Sequence, residues 1–217
     1  MQKILISVWM LVISTAGLSA QLITAGGTAG VKLGVAYPIT KGGFYVSPQW
    51  SPDSTRVTMN GFQAYGFFAA KPDGTNFQMV VGSAGFVSDY VWAGDSKSVI
   101  YRAPTGEGMT LNKVDINTQA ITELSRTPVA YSIPAYLAPQ RLAVAEGQKI
   151  NQFDTSTIGT VGGKLRARQD LTLDLTSLPI EGVEKILPTA NAEQYIVQDG
   201  YGVVWKVEPR SGRFEKL

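Results

Sequence analysis

Cysteine and histidine are both absent from the 217 residues. Ser-His-Asp and Cys-His nucleophilic catalysis therefore cannot be assembled from this chain, nor can zinc or iron sites that need imidazole or thiolate. The lack of cysteine also removes any disulfide framework and any thiol that could accept a lipid, so stability must come from an apolar core. Neither a Gly-x-Ser-x-Gly elbow nor a phosphate-cradling Gly-x-x-x-x-Gly-Lys loop occurs. Charge of one sign is scarce as well: the formal net charge is +2, and residues 1–20 hold Lys3 as their sole charge, which leaves +1 without them. The one local basic cluster, Lys164, Arg166 and Arg168, alternates with Leu165 and Ala167 and reads as a solvated strand face. No region has the density of a nucleic-acid footprint, and no nucleic-acid partner is expected.

What is present is a repeat. Trp50-Ser51-Pro52-Asp53 leads into the strand Val57 to Met59, and Trp92-Ala93-Gly94-Asp95 leads into Val99 to Tyr101, 42 residues later. Each copy has a second half. Gly66 to Ala70 turns through Pro72-Asp73-Gly74 into Phe77 to Val81, and Met109 to Asp115 turns through Asn117-Thr118 into Ala120 to Leu124. Apolar and polar residues alternate as half-buried strands require. Weaker copies start at Tyr136 and Pro188, so the anchors at 50, 92, 136 and 188 lie 42, 44 and 52 residues apart. The longer last gap places an insertion at about residues 160–182. A period near 40 residues built of short strands predicts an all-β chain: a β-propeller of about four four-stranded antiparallel blades, with a partial fifth blade or an open ring as variants.

These residues resemble the TolB-type, WD40-like propeller repeat. Its signature is a Trp-Ser-Pro-Asp-Gly turn, an apolar strand, and a later hairpin with Asp and Ser/Thr-Gly. Trp50 to Asp53 matches the turn, Trp92 to Asp95 matches with Ala-Gly in place of Ser-Pro, and Lys113-Val114-Asp115 and Lys206-Val207-Glu208 with Ser211-Gly212 match the hairpin. The third and fourth copies lack the Trp and the Asp. The resemblance covers Phe44 to Leu217 and implies fold more than function, because the family includes periplasmic partner-binding proteins, peptidase accessory domains and lyases. The lyases hold a metal with histidines, which this chain does not have.

Residues 1–20 read as a signal peptide: Lys3, an apolar stretch Ile4 to Ile13, and small residues up to a cut after Ala20. Residues 21–41 form a flexible Gly-rich segment and an alternating strand (Val31, Leu33, Val35, Tyr37), and residues 42–217 form the propeller domain. The expected location is periplasmic or secreted, with no membrane span once the signal is removed. Asp53, Asp73, Asp95, Asp115 and Asp154 fall at equivalent turns, where a short carboxylate caps its own backbone, and no Asp-x-Asp-x-Asp-Gly loop surrounds them. Trp50 and Trp92 read as packing between blades. No metal or cofactor is expected.

The candidate binding residues sit where strands begin or loops turn: Asp89, Tyr90, Tyr131, Ser132, Tyr201 and Tyr65. Aromatic rings with a polar handle are frequent binding anchors when exposed. The expected function is a non-enzymatic exported scaffold that engages another envelope or secreted protein through a loop face. A glycan- or small-ligand-binding propeller is the alternative, and a carboxylate-based hydrolase the third reading. Self-association is expected if the ring is open.

Overall fold

The computed structural model describes residues 38–40, 42–61, 66–82, 89–138, 140–155, 172–189, 194–208, 211 and 213–217. The signal segment, the strand Val31 to Tyr37, Tyr65 and the basic cluster at 164–168 lie outside them.

Sixteen strands among the described residues make four antiparallel sheets of four. Blade 1 is β1 (Tyr45–Trp50), β2 (Val57–Gly61), β3 (Phe67–Ala70) and β4 (Gln78–Val81). Blade 2 is β5 (Tyr90–Trp92), β6 (Ser98–Thr105), β7 (Gly108–Asp115) and β8 (Ile121–Thr127). Blade 3 is β9 (Ala135–Ala138), β10 (Arg141–Glu146), β11 (Lys149–Asp154) and β12 (Leu173–Asp174), and blade 4 is β13 (Val183–Pro188), β14 (Tyr195–Asp199), β15 (Val204–Glu208) and β16 (Arg213–Lys216). Each sheet is a meander in chain order, as expected. The extra length in the third repeat falls between β11 and β12, and β12 pairs with β11 through only Asp174 and Leu173.

Turn chemistry sets the hairpins. Asp53 accepts the Thr55 N–H at 3.1 Å and the Ser51 hydroxyl at 2.7 Å, and Asp73 accepts the Thr75 N–H at 2.9 Å. Asp95 accepts the N–H groups of Lys97 and Ser98, and Asp115 those of Asn117 and Thr118. Asp174 and Asp199 act likewise, toward Thr176 and toward Tyr201 and Val203. Asp154 ends β11 opposite Arg141. The Ser51 hydroxyl above all, then the Thr55 N–H, hold the Asp53 carboxyl below its ordinary value, and the Thr75 hydroxyl and N–H do so for Asp73. Burial opposes the same shift at Asp95 and Asp115, but turn N–H donors outweigh it.

A carboxylate whose pKa is lowered by folding contributes stability that is complete above its unfolded value near ~3.9 and is lost as pH falls through the lowered native value. Thermal unfolding followed by circular dichroism should therefore give a clearly lower Tm at pH 3 than at pH 7. Asp95→Asn should lower the pH 7 value and shrink the difference, and an acid-insensitive Tm would show that these turn bonds carry no net stability.

Three apolar clusters join the blades in series. Phe67, Ala69, Val80 and Val81 of blade 1 meet Tyr90, Trp92, Val99 and Tyr101 of blade 2. Ile100, Leu111 and Leu124 of blade 2 meet Leu142, Val144 and Phe153 of blade 3. Ala143, Ala145 and Ile150 of blade 3 meet Tyr195, Val197 and Trp205 of blade 4. Among the described residues none of these clusters seats blade 4 against blade 1. The inter-blade reading holds for Trp92, 5% exposed, and must be corrected for Trp50, which is 55% exposed because no described blade precedes the first.

Candidate functional site

In an antiparallel meander, hairpins alternate between the two ends of the blade. The turns β6–β7, β10–β11 and β14–β15 thus share one end with the segments that lead into β5, β9 and β13. Backbone bonds tie that end together: Val183 N–H donates to the Gly147 carbonyl at 2.9 Å, Gly200 N–H to Glu181 at 3.2 Å, and Ile133 N–H to Glu184 at 2.8 Å. Gly108 allows the closest approach, since a Cβ there would stand 2.2 Å from the Thr127 carbonyl oxygen.

Of the six candidates, three belong to the core rather than to an exposed binding face. Tyr90 is buried, its ring set edge-on against Phe67 at 4.6 Å and its hydroxyl donating to the Ser47 carbonyl at 3.0 Å. Tyr131 is buried, with its hydroxyl on Ser125 at 2.8 Å. Ser132 is fully buried and its oxygen accepts the Ala145 N–H at 2.7 Å, joining the lead-in of blade 3 to β10. Tyr90 and Tyr131 are drawn into the apolar clusters that join neighbouring blades, Ser132 is held within blade 3, and each hydroxyl finds a partner that permits burial. Tyr65 lies outside the described residues.

Asp89 and Tyr201 remain at the surface. Asp89 lies 3.5 Å from the Arg102 guanidinium, which also donates to Glu184 at 2.5 Å and to the Tyr131 carbonyl at 2.5 Å. Arg102 thus links the beginnings of blades 2, 3 and 4 through its planar fork of donors. Its side chain is 13% exposed, against 40% for Asp89 and 46% for Glu184. Glu184 reaches it because the β13–β14 register slips between Val183 and Lys185, and a bulge re-aims the side chain of the extra residue. The sequence reading missed both Arg102 and Glu184. Alternation in β6 sets Arg102 on the opposite face from Tyr101, but nothing in the residue pattern marks the bulge.

Tyr201 is 76% exposed at the tip of the β14–β15 turn. A hydrogen bond to the Glu181 carboxylate, with that carboxylate's charge, holds its hydroxyl proton and raises its pKa. The turn beneath it is rigid: Asp199, buried, accepts the N–H groups of Tyr201 and Val203 and the Trp205 indole N–H at 3.0 Å. Asp89, Arg102, Glu184, Glu181 and Tyr201 therefore form one rim with an acidic surplus. Among the described residues no group of three or more acidic side chains is placed to hold a metal ion.

The chain matches no protein-family model and no curated protein. Solved structures of similar fold include TolB from Acinetobacter baumannii, with a TM-score of 0.58 at 12% identity over 81% of this chain and 43% of that one. A chain of the nidogen/laminin complex aligns with a TM-score of 0.56 at 9% identity, over 79% of this chain and 63% of that one. Puromycin hydrolase aligns with a TM-score of 0.51 at 17% identity, over 80% of this chain and 28% of that one. The chain spans less than two thirds of each of these proteins. At such identities the likeness is one of fold, and that fold is a TolB-like β-propeller.

Proposed function

We propose that this chain is an exported, non-enzymatic propeller scaffold that binds another envelope or secreted protein through the rim of Asp89, Arg102, Glu181, Glu184 and Tyr201. The observation that carries the reading is Tyr201, a large ring left 76% exposed on a turn rigidified from below. An ordered exposed aromatic loses little entropy on binding and is a frequent source of interface energy. The acidic surplus around it suits a partner surface bearing lysine or arginine. The turn aspartates are not poised as general acids. Asp53, Asp73, Asp95, Asp115, Asp174 and Asp199 all have lowered pKa values, whereas a general acid at neutral pH needs a raised one.

The test compares the wild-type protein with Tyr201→Ala and Glu181→Gln in capture from envelope extract and on a glycan array. Tyr201→Ala should weaken capture of a defined protein by about tenfold or more, the equivalent of ~1.4 kcal/mol, with Tm unchanged. Tyr201-dependent glycan binding with no protein captured would favour the small-ligand alternative. Turnover of a polysaccharide or peptide abolished by a single carboxylate change would overturn the scaffold reading.

A further inference from the structure

Tyr201 has a glycine on each side, and the backbone explains both. Gly202 has a φ of 82°, in the left-handed region, and a Cβ on Gly200 would stand 3.2 Å from the Glu181 carbonyl oxygen. The consequence reaches the side chain between them. No neighbouring side chain along the turn covers the Tyr201 ring, which stands exposed at the tip.

The charges around this ring are unevenly matched. Asp89 and Glu184 share the Arg102 guanidinium, and Asp174 has the Lys149 ammonium at 3.8 Å. Asp199, beneath the ring, is answered by the Trp205 indole N–H, two turn N–H groups and the nearby charge of Lys216. Glu181 differs. It is exposed, its carboxylate accepts the Tyr201 hydroxyl, and among the described residues no cation pairs with it. A carboxylate offers about four lone-pair sites, and one phenol occupies one of them.

An open ring face with an unpaired carboxylate beside it attracts a cation twice over. The negative π face draws a cation to within ~6 Å of the ring centroid, and the carboxylate draws the same charge toward the hydroxyl edge. Lysine suits this arrangement poorly, because its ammonium is a compact, strongly hydrated point charge. Arginine suits it well. The guanidinium is planar and weakly hydrated, so it stacks on the ring while N–H donors at its edge reach the carboxylate. A sugar would also stack on the ring, but a neutral one brings no charge for Glu181 to meet.

Resting on the scaffold reading above, we propose that the residue this rim takes from its protein partner is an arginine, stacked on the Tyr201 ring and paired with Glu181. Two end-capped pentapeptides of equal charge, Gly-Gly-Arg-Gly-Gly and Gly-Gly-Lys-Gly-Gly, serve as probes on the purified protein. Each is titrated at low salt to about 20 mM, since a single cation–π contact with one exposed ion pair reaches only millimolar affinity. NMR follows the Tyr201 ring protons, identified by their loss in Tyr201→Ala, and the Gly200 and Gly202 amides.

The arginine peptide should shift these resonances with an affinity about threefold or more above that of the lysine peptide. Glu181→Gln should weaken arginine binding by about two- to fivefold, and Tyr201→Ala should abolish the amide shifts, both with the Tm of the wild type. Equal responses to the two peptides would reduce the rim to general acidic attraction and overturn the proposal. So would an absence of shifts, or arginine binding that survives Tyr201→Ala. Tyr201-dependent capture of a protein without arginine preference would sink this inference and leave the scaffold reading standing. Arginine preference with no protein captured would support the site and count against the scaffold reading.

Discussion

Replacing Trp92 by alanine is expected to cost about 3 to 5 kcal/mol of folding stability, whereas the same change at Trp50 should cost less than about 1 kcal/mol. The two residues hold the same ladder position in successive repeats, so their intrinsic strand preferences cancel in the comparison. What differs is the neighbour. Trp92 rests among Phe67, Ala69, Val80 and Val81, and truncating it opens a cavity in the interface that joins the first two blades. Trp50 has solvent over more than half its surface. The Trp92 indole N–H has no hydrogen-bond partner among the described residues, so its contribution is packing alone. Trp92→Phe should accordingly recover most of the loss, since it keeps a ring and removes a buried donor. Urea unfolding followed by circular dichroism measures all three variants, and equal losses at positions 50 and 92 would show that the blade 1 face is covered in solution as fully as that of blade 2.

The repeat was legible because the first two copies spend the same few residue types on the same tasks, and the weaker two keep the spacing and the strand alternation. An aromatic ends the first strand, an aspartate closes the turn, and an apolar alternation marks the strands on either side. Trp50 shows where such reading stops. A residue's place within a repeat fixes which face it occupies, but whether that face meets another blade depends on what stands beside the repeat, and the local pattern is identical in both cases. β12 was hidden for a different reason: two ladder residues separated from β11 by a long stretch carry no period to detect.

The rim was less legible than the fold. Tyr90 sits two residues before Trp92, and side chains two apart on a strand share a face. The burial of Trp92 thus implies that of Tyr90, a signal present in the sequence and outweighed there by its position near a loop. Tyr201 lies in a Gly-Tyr-Gly turn, where no ladder could draw the ring inward, and its exposure follows. The Arg102 cluster depends on three segments from three blades, with sequence separations of 13, 29 and 82 residues from Asp89, Tyr131 and Glu184. Such a meeting point becomes visible only once the blades are placed.

Tyr90→Ala should destabilise the protein by about 3 to 5 kcal/mol, and Tyr90→Phe by about 1 to 2 kcal/mol. The ring accounts for most of the first figure, through its edge-on contact with Phe67 and its burial among the residues that join blades 1 and 2. The hydroxyl accounts for the second. It donates to the carbonyl of Ser47, a residue with a φ of 52° inside the register break of β1, and the Thr58 hydroxyl lies 3.1 Å from it. Removing the oxygen leaves that carbonyl without its donor at the point where β1 departs from regular pairing. Burial also raises the Tyr90 pKa far above the ordinary value, and burial raises those of Tyr101, Tyr131 and Tyr136 as well. A phenol held neutral by folding contributes stability that is complete below the unfolded value near ~10 and is lost as pH rises above it, because the unfolded chain ionises first. The wild type should therefore lose stability steeply between about pH 10 and 12, and Tyr90→Phe should lose it less steeply over the same range. If Tyr90→Ala instead leaves Tm unchanged while weakening capture of a partner, Tyr90 belongs to an exposed binding face after all.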